Sequence, residues 1–181
     1  MARLTLSRTL HDVGLSAWFG GTLANAVALN AAAGEAGSHT GAVANAGWNR
    51  WTPVNAAAIG AHLVGSVGQL IGNSGRVAQQ QGVGQMSALK TVLTAAALGV
   101  TAYSRVLGKI VSDNGATPSK RGTKASKRAK GEVAAAQAKL DQLQWAIPAI
   151  TGALVVVSSY AGEQQRPSEV RRGIAEKNSS L

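Results

Sequence analysis

The chain has 181 residues, no cysteine, 22 glycines, one phenylalanine and a formal net charge of +10. That length suits one domain, and the missing thiols exclude a disulfide framework and any thiolate metal centre. Alanine and glycine supply much of the apolar fraction, so collapse from water at roughly 25 cal/mol per Å² of buried apolar area is weak. Lipid suits this composition better, because helices there associate by close backbone approach.

Charge placement sets the organisation. No formal charge occurs for 22 residues between Asp12 and Glu35, for 25 between Arg50 and Arg76, or for 21 between Asp141 and Glu163. A membrane-crossing helix needs roughly 20 predominantly apolar residues. The expected fold is therefore an all-α polytopic membrane bundle of about four transmembrane helices.

The N-terminal arm, 1–12, holds Arg3 and Arg8 and resembles the start of a signal peptide, but the apolar run after it exceeds a typical h-region. The first span is expected over 13–33, with Asp12 as its N-cap. A loop of small and polar residues, 34–49, then leads to Trp48-Asn49-Arg50-Trp51-Thr52-Pro53. This hexad suits an interfacial helix start, with Thr52 capping and Pro53 in the first turn. The second span follows over 54–73. The third, 84–110, crosses only if Lys90 and Arg105 snorkel to opposite interfaces, and 13–112 then forms a three-helix membrane region. A basic linker covers 113–131. A long last helix, 132–162, is expected to begin outside the bilayer and cross it, with Trp145 and Tyr160 near the interfaces and Pro148 as a kink. A flexible polar tail, 163–181, closes the chain. Basic residues divide almost evenly between the two sides, and only their density in the third loop favours that loop as cytoplasmic.

Three features are candidates for function. Small residues four apart share a helix face and allow a partner backbone to approach; the Gly68/Gly72 pair leads, with Gly21 and Gly65 in small-xxx-small pairs. Polar residues recur along the second span at Asn55, His62, Gln69 and Asn73, and their spacings of seven, seven and four place them on one stripe. Such a stripe serves either interhelical hydrogen bonding or a polar path centred on His62. The run 120–130 carries Lys120, Arg121, Lys124, Lys127, Arg128 and Lys130, a density suited to anionic lipid headgroups. It has no aromatic side chain for base stacking, so nucleic acid is not an expected partner.

Catalytic signatures are missing. Gly82-Val83-Gly84 lacks the last glycine and the downstream acid of a dinucleotide loop, and no phosphate loop or HExxH motif occurs. His11 and His39 lie outside the expected spans, which argues against a bis-histidine haem within one subunit. No enzyme activity, metal or cofactor is expected.

The alanine- and glycine-rich spans, with Arg50-Trp51-Thr52-Pro53-Val54-Asn55 and Thr101-Ala102-Tyr103-Ser104-Arg105, resemble small actinobacterial multi-pass membrane proteins of unassigned function. The resemblance covers 12–112. It implies a bacterial plasma membrane location and transfers no catalytic residue. The expected role is a structural or accessory helix-packing subunit, with other membrane helices and the lipid bilayer as partners. The alternative is a small transporter or channel using the polar stripe.

Overall fold

A segment that faces lipid must bond every backbone N–H and C=O within itself, so its long uncharged runs become long helices. The structure, a computed structural model, describes residues 4–113, 123 and 131–179, and among these it is all-helical. Helix α1 (Thr5–Ala24) passes through a π-turn (Asn25–Leu29) into α2 (Asn30–Gly34). After a 3-10 turn (Gly37–His39), α3 (Thr40–Gly72) returns, and the short α4 (Ser74–Gln79) leads to α5 (Val83–Asp113). Helix α6 (Gly131–Glu163) and the terminal α7 (Pro167–Ser179) complete the chain.

Three helices are long and apolar enough to cross a membrane: α3 within Gly37–Gly72, α5 and α6. Each exceeds 30 residues and at 1.5 Å per residue reaches beyond the roughly 30 Å hydrocarbon core. The α1–α2 segment is not among them; Arg8, His11 and Asp12 dilute its apolar character.

Polarity is inverted relative to a water-soluble bundle. Val13, Val54, Val64, Ile71, Val92 and Val156 are each more than half exposed, whereas His11, Asn30, His62, Gln137 and Thr151 are buried. A large apolar exterior around a polar interior is the informative departure from ordinary burial, and it supports a lipid-facing surface.

Helices α1 and α3 form an antiparallel pair built on glycine. Leu4 lies against Gly72 at one end, and Leu29 against Gly47 at the other. Midway, a Cβ on Gly65 would strike backbone atoms of His11 and Ser7, and one on Gly14 would strike the backbone of Ala58 and His62. Gly68 faces the Ser7 side chain, and Gly21 receives the Trp51 ring. Helices α5 and α6 pair along Leu107, Val111 and Ala136, and α1 packs on α6. The bundle order is thus α3, α1, α6, α5, and it leaves α3 and α5 facing each other across a gap. The start of α1, α4 and α7 gather at one end, and the 35–39 turn, the end of α5 and the start of α6 at the other.

Several expectations need correction. Asp12 does not cap a helix, because α1 begins at Thr5 with Leu4 preceding it. The expected loop 34–49 shrinks to a turn, and α3 starts at Thr40 and runs straight through Pro53. Thr52 accordingly does not cap; its hydroxyl donates to the Trp48 carbonyl, 2.9 Å away. Within the expected polar tail, Pro167–Ser179 forms α7. The third span, which rests on snorkelling, is one of the three qualifying helices. Lys120, Arg121, Lys124, Lys127, Arg128 and Lys130 lie outside the described residues.

Arg76 ties the α7 end together. It donates to Gln80 Oε1 at 2.9 Å, to Asn73 Oδ1 at 3.3 Å and to the Gln164 carbonyl at 2.7 Å. Gln80 reaches the same carbonyl at 2.9 Å, and Gln81 N donates to Gly173 O of α7 at 3.0 Å. Arg76→Met leaves the Gln164 carbonyl with one donor fewer. Hydrogen exchange of the α7 amides is expected to accelerate by about tenfold or more, since a bond to a charged group contributes roughly 1.5–3 kcal/mol. Unchanged protection would show that α7 docks without Arg76.

Candidate functional site

The gap between α3 and α5 holds two clefts, one toward each end of the bundle. The cleft at the α4/α7 end has a volume of about 380 Å³ and is lined by Gln69 and Asn73 of α3, Ser87, Lys90, Thr91 and Thr94 of α5, and Arg76. The other, about 230 Å³, is lined by Trp51 and Asn55 of α3, Thr101, Ser104 and Arg105 of α5, and Gln137 and Gln144 of α6. The stripe on α3 therefore divides between them, with Asn55 in one cleft and Gln69 and Asn73 in the other. Heptad-like spacing keeps these side chains on one face, and that face is turned to α5.

His62 occupies the layer between the clefts and is fully buried. Its Nδ1 lies 3.4 Å from the His11 carbonyl oxygen and its Nε2 3.3 Å from Thr94 Oγ1. A carbonyl only accepts, so Nδ1 is the donor and Nε2 accepts from the Thr94 hydroxyl. Both distances lie beyond the usual range for such bonds, so this ring is held more by packing than by hydrogen bonding. Trp18 meets it edge-on at 6.1 Å between ring centroids. Around it Trp18, Ala58, Ala97 and Ile147 form the apolar cluster that separates the two clefts, with Ile59 and Leu98 packed against it.

The structure also brings in a residue that the sequence placed outside the membrane region. His11 is buried on α1, with its ring centroid 4.6 Å from that of His62. Its Nδ1 lies 2.7 Å from Asp12 Oδ1, and its Nε2 is buried without a hydrogen-bond partner. The expectation of a single histidine at this depth is thus corrected: two meet there. They stand 51 positions apart in sequence, on α1 and α3, and no local spacing announces such a pair.

Unpartnered polar atoms concentrate in the gap. In the 230 Å³ cleft they are Trp51 Nε1, Asn55 Oδ1, Thr101 Oγ1, Ser104 Oγ and Gln137 Oε1; in the larger cleft Gln69 Nε2 joins them. A buried polar atom left unbonded costs roughly 1–3 kcal/mol, so the walls of the gap hold unmet hydrogen-bonding capacity. Asn73 differs, since its Nδ2 donates to the Gln69 carbonyl at 2.7 Å and its Oδ1 accepts from Arg76. It terminates α3 as well as lining the cleft. A second polar set lies near the opposite end: Trp48 Nε1 donates to Asn30 Oδ1 at 3.0 Å, and Asn30 Nδ2 to Gln144 Oε1 at 2.7 Å, linking α2, α3 and α6.

Charge along the gap is one-sided. Arg76, Lys90 and Arg105 line the clefts, and no carboxylate does. Burial, and then the nearby Arg8 charge, lower the Arg76 pKa below its ordinary value.

Gly21, Gly65, Gly68 and Gly72 are all taken up between α1 and α3. Gly99 is different: it has open space around it and lies exposed on α5 with Ala95.

Comparison with protein-family models, curated proteins and solved structures gives no match.

Proposed function

We propose that the chain is a multi-pass protein of a bacterial plasma membrane that conducts or carries a small polar solute between α3 and α5. The α1–α2 segment is the fourth crossing in this reading, and α6 projects its first turns beyond the lipid. One observation carries the proposal. Two clefts whose walls carry polar side chains lie toward opposite ends of the bundle along the same α3 stripe, on either side of the layer at His62 and Trp18. Polar residues at membrane depth are costly and mark solute paths when they line cavities, and narrow apolar layers between wet vestibules act as gates.

The test is flux through the purified chain in liposomes, with small inorganic ions and small polyols as solutes. His62→Leu combined with Gln69→Leu is expected to abolish the wild-type flux. No wild-type flux for any of these solutes, or equal flux in the double variant, overturns the reading.

The exposed Ala95/Gly99 pair favours a second reading, that of an accessory subunit packing against another membrane helix. A lone monomer in mild detergent, with no co-purifying partner, counts against it.

A further inference from the structure

The larger cleft has a chemistry of its own. Lys90 is half-buried within α5, and among the described residues it makes no hydrogen bond or ion pair. The Asp12 carboxylate acts on it through space without forming an ion pair, and lies 2.7 Å from His11 Nδ1. Arg76 shares the lining, and its three hydrogen bonds all go to neutral acceptors, so no carboxylate among the described residues pairs with it. Gln69 Nε2 is a buried donor in the same wall with no acceptor. Ser87, Thr91 and Thr94 add hydroxyls, and none of the lining residues is acidic.

Two cations and an unsatisfied amide donor around about 380 Å³ of space leave an excess of positive charge and hydrogen-bond donors. An unpaired buried charge is expensive unless a counter-charge joins it. A ligand with negative oxygens supplies that charge and the missing acceptors together, through charge-assisted bonds. The cleft lies at the bundle end that holds α4 and α7.

We infer that this cleft is a binding site for a phosphate-type anion, held by Lys90 and Arg76. The same chemistry is offered by free phosphate and by the headgroup of an anionic phospholipid. The site does not depend on flux: binding here is compatible with a path that carries some other solute, or none.

The experiment uses the full chain in a nonionic detergent. One arm titrates inorganic phosphate against chloride at matched ionic strength and follows thermal unfolding. The other compares retention of phosphatidylglycerol and phosphatidylcholine by native mass spectrometry. Stabilisation by phosphate over chloride assigns the site to a free anion, and selective retention of phosphatidylglycerol assigns it to a headgroup. In either case Lys90→Gln is expected to weaken binding about tenfold or more, the loss of one bond between charged partners. Lys90→Arg, which keeps the charge, should retain most of it. Because Lys90 bonds to no described residue, Lys90→Gln should fold; the arginine variant covers the case in which it does not. Absence of binding in both arms, binding that Lys90→Gln leaves unchanged, or binding lost equally in Lys90→Arg overturns the assignment.

Discussion

Gly65→Val should lower the stability of the bundle by about 3 kcal/mol or more, at or above the upper end for overpacked sites. The added Cβ would press on the His11 backbone nitrogen and the Ser7 carbonyl oxygen, and neither can rotate away. Relief requires α1 and α3 to separate, which loses the close contact that holds helices together in lipid. Gly68→Ala is milder because the obstacle is the Ser7 hydroxyl, a side chain with other rotamers. Gly60→Ala should be neutral or slightly stabilising, since nothing lies within 4 Å and alanine is the better helix former. Denaturation in bicelles would rank the three. If Gly65→Val proved no worse than Gly60→Ala, the α1–α3 backbone crossing would be wrong.

Trp18→Ala should cost about 3–5 kcal/mol, the range for emptying a large buried aromatic site. Trp18 is fully buried in the cluster with Ala58, Ala97 and Ile147, and small neighbours cannot expand to refill the space. The same substitution removes the bulk that parts the two clefts. Solute leak through liposomes should therefore rise while stability falls. These two readouts separate packing from gating. Trp18→Phe should recover most of the stability and most of the seal. A Trp18→Ala protein that is destabilised but conducts no more than wild type would mean that the clefts are closed by something other than this layer.

How far the sequence alone discloses this molecule differs by element. The expected 84–110 and 132–162 segments match α5 and α6 within a few residues, because charged residues and glycine punctuate both ends of those runs. The start of α3 was hidden by Pro53. Proline and tryptophan beside an arginine suit a helix beginning at an interface, yet a helix packed among neighbours tolerates proline in its interior, and α3 extends thirteen residues before it. The start of α1 is obscured for the opposite reason. His11 and Asp12 look like an aqueous flank, but His11 turns inward onto His62 and leaves Asp12 exposed. The α3 stripe was legible because its members share one helix and one period. Its counterparts on α5 and α6, Thr94, Thr101, Ser104 and Gln137, were not, since only tertiary pairing selects them from the other small polar residues. Gly14 carries no such signal either. Its companion across the contact is the backbone of His62 on another helix, not a small residue four positions along its own.

The π-turn at Asn25–Leu29 sets the phase of everything beyond it. An α-helix turns about 100° per residue, and a π-turn absorbs one extra residue without breaking the chain of bonds. Up to that point α1 is clocked to α3, so that Gly14 and Gly21 face their partners. Past it, Asn30 is clocked to Gln144 and Trp48. The two stretches meet different residues of α3 and α6 from one rod, and the inserted residue is the offset between their dials. Deleting a single residue there would rotate Asn30 by about 100° toward the lipid, with every side chain before the turn left in place.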